Sequence, residues 1–177
     1  LPVLDDAFID AMRSVLRHPE LDPAFKAQVL TLPSESYLAE RSKVVDPQRI
    51  HLIRETLRRQ LADQLHSDWV WAFEAHQVRE GYRPTPAQAG HRALANLALG
   101  MLVLHAVQVG DPVWQGKAYQ RSKDAGNMTE RYGALRSWDN VFYDSPGLGY
   151  VTATHQLIRR HLPGTVFTYY RALHDVA

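Results

Sequence analysis

The sequence predicts an all-α fold, an irregular right-handed superhelix of antiparallel helical hairpins resembling an α-solenoid. Three observations carry this. Asp22-Pro23, Asp46-Pro47, Thr85-Pro86 and Asp111-Pro112 each set an N-cap side chain ahead of a proline, which at the first helical position loses no hydrogen bond and already has a helical φ. Apolar residues then follow at steps of three or four, the period of a helix. The connections are short, so successive helices must fold back on one another. No fixed repeat period runs through the residues, which argues for an irregular stack over a regular array.

The elements follow in order. A first helix is expected over residues 4–17, with Ala7, Phe8, Ala11, Met12, Val15 and Leu16 as its buried stripe. A short helix after Asp22 carries Phe25, Val29 and Leu30, and Ser34 caps another through Tyr37, Leu38 and Arg41. From Pro47 one long helix is expected to reach about residue 78, because Ile50, Ile53, Leu57, Leu61, Leu65, Trp69 and Phe73 keep helical steps. Glu55 and Arg59 are spaced i,i+4 on its wet side. Residues 81–84 read as a loop. The helix over 86–107 is apolar over much of its surface, so it should lie between others, its Ala and Gly positions allowing close approach. Another follows Asp111 with Trp114, Ala118 and Tyr119, and the last clear helix spans 129–138. That makes seven or eight helices.

Composition changes after residue 138. From 139 to 177 there is no Glu and no Lys, while aromatic and β-branched residues gather in Val141-Phe142-Tyr143 and again from Thr165 to Tyr170. Pro146-Gly147 and Pro163-Gly164 read as turns, with a helix expected over 154–161. We therefore divide the chain into a helical domain, 1–138, and a divergent tail, 139–177, packed on the same domain.

A chain of 177 residues with 45% apolar and 22% charged residues can bury one core. Twenty basic residues against nineteen acidic ones leave a net charge of +1, without the concentrated positive field a nucleic-acid binder needs. The absence of Cys excludes disulfides, thiolate metal sites and cysteine nucleophiles, and fits a cytoplasmic protein. No apolar run is read as long enough to cross a membrane. The opening residues lack the basic region of a signal peptide, and a start at Leu1 rather than Met suggests an excised piece.

Four separated segments carry a resemblance. Leu32-Pro33-Ser34-Glu35-Ser36-Tyr37-Leu38-Ala39-Glu40 leads into Val45-Asp46-Pro47, then Ile50-His51 with Arg54-Glu55. Arg92-Ala93-Leu94-Ala95-Asn96-Leu97-Ala98-Leu99 and Ala125-Gly126-Asn127-Met128-Thr129-Glu130-Arg131 follow in order. Over roughly 1–138 the chain resembles the C-terminal helical domain of bacterial aminopeptidase N, a family of zinc exopeptidases that remove N-terminal amino acids from peptides. The resemblance implies a region that follows a β domain, a thermolysin-like catalytic domain and a small β-sandwich. It implies a lid that closes over the catalytic domain, encloses the active-site chamber and limits which peptides enter. The family's domain continues through further helices, whereas the matching here stops near Trp138, as expected of a truncated piece with a divergent or frame-shifted end.

The zinc site of that family needs His-Glu-x-x-His on one helix with a further Glu, and no such motif occurs here. His155 and His161 are badly spaced for one helical face, and His51, His66, His76, His91, His105 and His174 are isolated in sequence. Gly126-Asn127-Met128-Thr129-Glu130 reads as structural, Gly126 ending one helix and Asn127 or Thr129 capping the next. Arg54, Arg58 and Arg59 surround Glu55 as a solvated face, and Trp69, Trp71 and Phe73 read as core with one exposed ring. Asp63, Asp68 and Glu74 show no apolar surroundings to support acid–base work. Gly147-Leu148-Gly149-Tyr150 lacks the Gly-Lys-Ser/Thr of a phosphate loop.

No catalytic, cofactor-binding or metal-ligating residue is assigned, and zinc is expected only in the parent's catalytic domain. The expected partners are that domain and, through the shared chamber, peptide substrate. Neither nucleic acid nor membrane is expected, and the piece could self-associate. The alternative is a free-standing helical scaffold that binds a protein or peptide. A small metal hydrolase would require the histidines to converge.

Overall fold

Eight helices follow one another in the computed structural model, which describes the backbone over residues 2–143 and the side chains over 2–137. They are α1 (Asp6–Arg17), α2 (Pro23–Val29), α3 (Glu35–Arg41), α4 (Pro47–Gln64), α5 (His66–Ala75), α6 (Pro86–Val109), α7 (Pro112–Asp124) and α8 (Met128–Tyr143). No strand occurs among the described residues. All four cap-proline pairs open helices. Asp22 Oδ1 accepts from the backbone N–H of Ala24 at 2.8 Å, Asp46 Oδ1 from Arg49 at 3.0 Å, Thr85 Oγ1 from Gln88 at 3.3 Å and Asp111 Oδ1 from Val113 at 2.8 Å. Each such cap is worth about 1 kcal/mol. At the other end of α6, Gly110 takes φ 71, the left-handed conformation that closes a helix without a Cβ penalty.

The core is organised around α6, which packs against α2, α4, α5, α7 and α8. Leu94, Ala98, Leu99, Leu102 and Val103 are fully buried, as expected of a helix apolar on most faces. Its length and apolar character are enough to cross a membrane, contrary to the expectation that no run qualifies. Its surroundings here are other helices, and Arg92 lies buried within it.

The single long helix expected from Pro47 is instead two, α4 and α5, parted at Leu65. No proline or glycine stands there. Leu65 has φ −107 and ψ 21, and the indole Nε1 of fully buried Trp69 donates to the Leu61 carbonyl at 3.0 Å. A buried indole N–H needs an acceptor, and reaching back from α5 to a carbonyl in the last turn of α4 bends the ladder. The apolar spacing continues through the bend, so periodicity alone could not reveal it.

Two buried faces also differ from expectation. In α1, Ile9 and Leu16 are buried, with Leu4, Met12 and Val15 packed against them, while Ala7, Phe8 and Ala11 face outward. In α2, Lys26, Ala27 and Leu30 are buried, and Phe25 and Val29 are left exposed. Lys26 Nζ donates to the Leu16 carbonyl at 3.0 Å, satisfying an acceptor left unpaired at the end of α1. On the same side, α2 meets α6 where Gly90 faces the backbone of Ala24. A lysine aimed inward at a helix terminus rotates the whole short helix. The helix expected over 129–138 runs 128–143, and the one expected over 154–161 lies outside the described residues.

Candidate functional site

The densest charged cluster joins α1 to α5. Asp68 is buried, and its carboxylate accepts from Arg13 Nε at 3.1 Å and Arg17 Nε at 2.7 Å. Arg17 also lies over the Trp71 ring, 4.3 Å from its centroid. Arg13 and Arg17 share a face of α1 because they are one turn apart. Their i,i+4 spacing was visible in the sequence, whereas the acid some fifty residues later was not. This arrangement fixes one helix against another. Both carboxylate oxygens are engaged by guanidinium groups of α1, the geometry of a clamp between helices.

Histidines isolated in sequence meet in pairs. The rings of His66 on α5 and His105 on α6 stand 4.2 Å apart, and those of His76 and His91 stand 5.1 Å apart. Because the start of α5 meets the end of α6 and the end of α5 meets its beginning, the two helices are antiparallel. Burial pushes His66 and His76 below the ordinary histidine value, with the adjacent imidazole adding to the effect at each. His76 Nδ1 donates to the Ala72 carbonyl at 2.8 Å, which leaves its lone pair on Nε2. His105 Nδ1 lies 3.5 Å from Asp63 Oδ1, near enough for attraction but making no hydrogen bond.

This donor set does not fit zinc. The His66 and His105 rings are tilted by 36° to one another, and a zinc site needs three or four converging ligands rather than a pair. Among the described residues no three His, Asp or Glu side chains form a metal-holding group. His51 instead contacts Glu35 at 2.8 Å and ties α3 to α4. His155, His161 and His174 lie outside the described residues, as does Gly147-Leu148-Gly149-Tyr150.

The remaining motifs take structural roles. Asn127 Oδ1 accepts from the Glu130 N–H at 3.0 Å and so caps α8. Arg131 donates to the Ala125 carbonyl at 3.1 Å, where α7 ends without a left-handed glycine. Gly126 is therefore not its terminator. Glu55 is held by Arg54 and Arg58, each at 3.1 Å, on a half-buried surface rather than a fully solvated one. Trp69 is core, Trp71 is half-covered by Arg17, and Phe73 meets Trp114 edge to face at 5.5 Å.

The family whose profile matches residues 2–159 is described as a domain of unknown function (DUF3458_C) of ARM repeats. The chain belongs to that family. As a DUF3458_C domain it is 35% identical over 126 residues to aminopeptidase N of Escherichia coli, covering 71% of this chain and 14% of that protein. It is 32% identical over 127 residues to aminopeptidase N of Haemophilus influenzae, covering 72% of this chain and again 14% of the relative. Its fold matches a crystal structure of Legionella pneumophila aminopeptidase A in complex with aspartic acid, with a TM-score of 0.64 and 19% identity. That match covers 89% of this chain and 22% of the other. The resemblance to the C-terminal helical domain of aminopeptidase N therefore holds, and the ARM-repeat description agrees with a solenoid-like stack.

Proposed function

We propose that the DUF3458_C domain serves as a non-catalytic helical lid of a zinc aminopeptidase N, controlling peptide access to the chamber and stabilising the closed enzyme. The observation that carries this reading is the 35% identity over 126 residues to aminopeptidase N of Escherichia coli, a match that spans only 14% of that protein. Zinc and the peptide-cleaving groups would then belong to the catalytic domain, the partner against which this domain closes. The exposed side chains Phe8, Phe25 and Val29 on α1 and α2, with Val44, Val45 and Leu52 around α4, supply apolar surface for that contact. The lack of cysteine is compatible with a cytoplasmic enzyme.

The test mixes the 177-residue chain with Escherichia coli aminopeptidase N lacking its matching segment. Co-sedimentation, together with restored discrimination between short and long peptides, is the expected result. Zinc bound near one per chain, or hydrolysis of an alanyl anilide by the pure chain, would overturn the proposal. Failure to bind the enzyme, with a peptide bound by the chain alone, would favour the free-standing scaffold.

A further inference from the structure

Helix α5 is bracketed by imidazole pairs whose electrostatic surroundings differ. At its start, His66 and His105 have Asp63 of α4 beside them and Asp111 at the cap of α7, two carboxylates that favour added positive charge. At its end, His76 meets His91 of α6, the buried Lys26 of α2 acts on it, and Trp71 stands edge-on at 5.7 Å. Arg17 of α1 covers the same Trp71 ring, and Lys26 Nζ lies 5.9 Å from its centroid. The acid of this cluster, Asp68, is already engaged by Arg13 and Arg17, and the charges that act on His76 are those of His91 and Lys26. The bend at Leu65 stands immediately before α5, next to the pair that carboxylates protect.

We propose that α5 is an acid-responsive element that pivots about Leu65 and lifts from α6 at its His76 end when His76 becomes charged beside Lys26 and the His91 ring. In the closed state, His76 gives its one N–H to Ala72 and is buried neutral. Protonation places an N⁺–H on Nε2 among cations in a poorly hydrated seam, where repulsion is weakly screened. The Ala72 carbonyl and the end of the α5 dipole favour the cation, but burial outweighs them. Opening exposes the imidazole to water, so the open form gains the proton. At the His66 end burial and His105 also disfavour the charge, but Asp111 and Asp63 offset part of that cost, so this end responds less.

Hydrogen exchange of the 177-residue chain tests this, with amide protection in α5 followed between about pH 7.5 and about pH 5.5 after correction for intrinsic rates. One proton taken up on opening lowers protection by about tenfold per pH unit. That slope is expected at the C-terminal amides of α5, with a smaller one at its first turn. His76→Gln removes the titrating group and should flatten the slope, and His91→Gln, on the α6 side, should weaken it if His76→Gln fails to fold. Trp71 emission should change over the same pH range. Equal slopes at both ends of α5, a slope retained in both variants, or cooperative loss of all helices on acidification would overturn the proposal.

Discussion

Stranding the Asp68 carboxylate should cost more than removing it. Asp68 is 8% exposed, whereas the side chains of Arg13 and Arg17 are 41% and 39% exposed. At an effective dielectric near 20, each pair at about 4 Å would contribute about 4 kcal/mol, an upper limit that water around the arginines screens. In Asp68→Asn both arginines turn to solvent and the amide oxygen still accepts one bond, so the cost should be about 2 kcal/mol. In the double variant Arg13→Met and Arg17→Met the carboxylate stays buried without a cation, and the cost should be about 3–5 kcal/mol. Loss of the Arg17 stack on Trp71 adds about 0.5–1 kcal/mol to that figure. The decisive comparison adds Asp68→Asn to the double variant. If an uncompensated charge is the cause, the triple variant recovers about 1–2 kcal/mol, because a neutral amide is cheaper to bury than an anion. Urea unfolding followed by tryptophan emission and far-ultraviolet circular dichroism measures all of these. A triple variant less stable than the double would refute the reasoning.

Gly90→Ala should destabilise by about 1–2 kcal/mol despite its better helix propensity, because the added Cβ would meet the Ala24 backbone nitrogen at 3.0 Å. Gly116→Ala, with open space at the same position on α7, should instead stabilise by about 0.5–1 kcal/mol, and urea midpoints moving in the same direction would contradict the packing argument. Burial holds His66 and His76 below the ordinary histidine value, so the unfolded chain takes up protons first as pH falls. Stability from these groups is complete above about pH 6.5 and drains below it, and a urea midpoint unchanged at about pH 5.5 in wild type would count against this. Trp69→Phe leaves the Leu61 carbonyl without its indole donor and should cost about 1–2 kcal/mol by thermal unfolding, whereas a neutral effect would mean the bend at Leu65 has another cause.

Local chemistry was legible wherever it sufficed to determine a structure. Asp22, Asp46, Thr85 and Asp111 announced four helix starts, since a cap needs only its own side chain and the next three backbone amides. The apolar character of α6 likewise marked a central helix, and the segments around Leu32, Arg92 and Asn127 were enough to find the family. The burial of Lys26, the clamp of Asp68 by two arginines and the meeting of His66 with His105 were not legible. Each depends on residues from different helices arriving at one place, and neither spacing nor composition encodes that separation. The exposed faces of Phe8 and Phe25 followed from the same cause. By itself the sequence determined that the chain is helical, where most helices begin and which family it belongs to, because those rest on neighbouring residues and their order. Tertiary structure alone decided which face of each short helix turns inward and which charges share a seam, because a helix of 7 or 12 residues, such as α2 or α1, has too little apolar surface to choose its orientation without its neighbours.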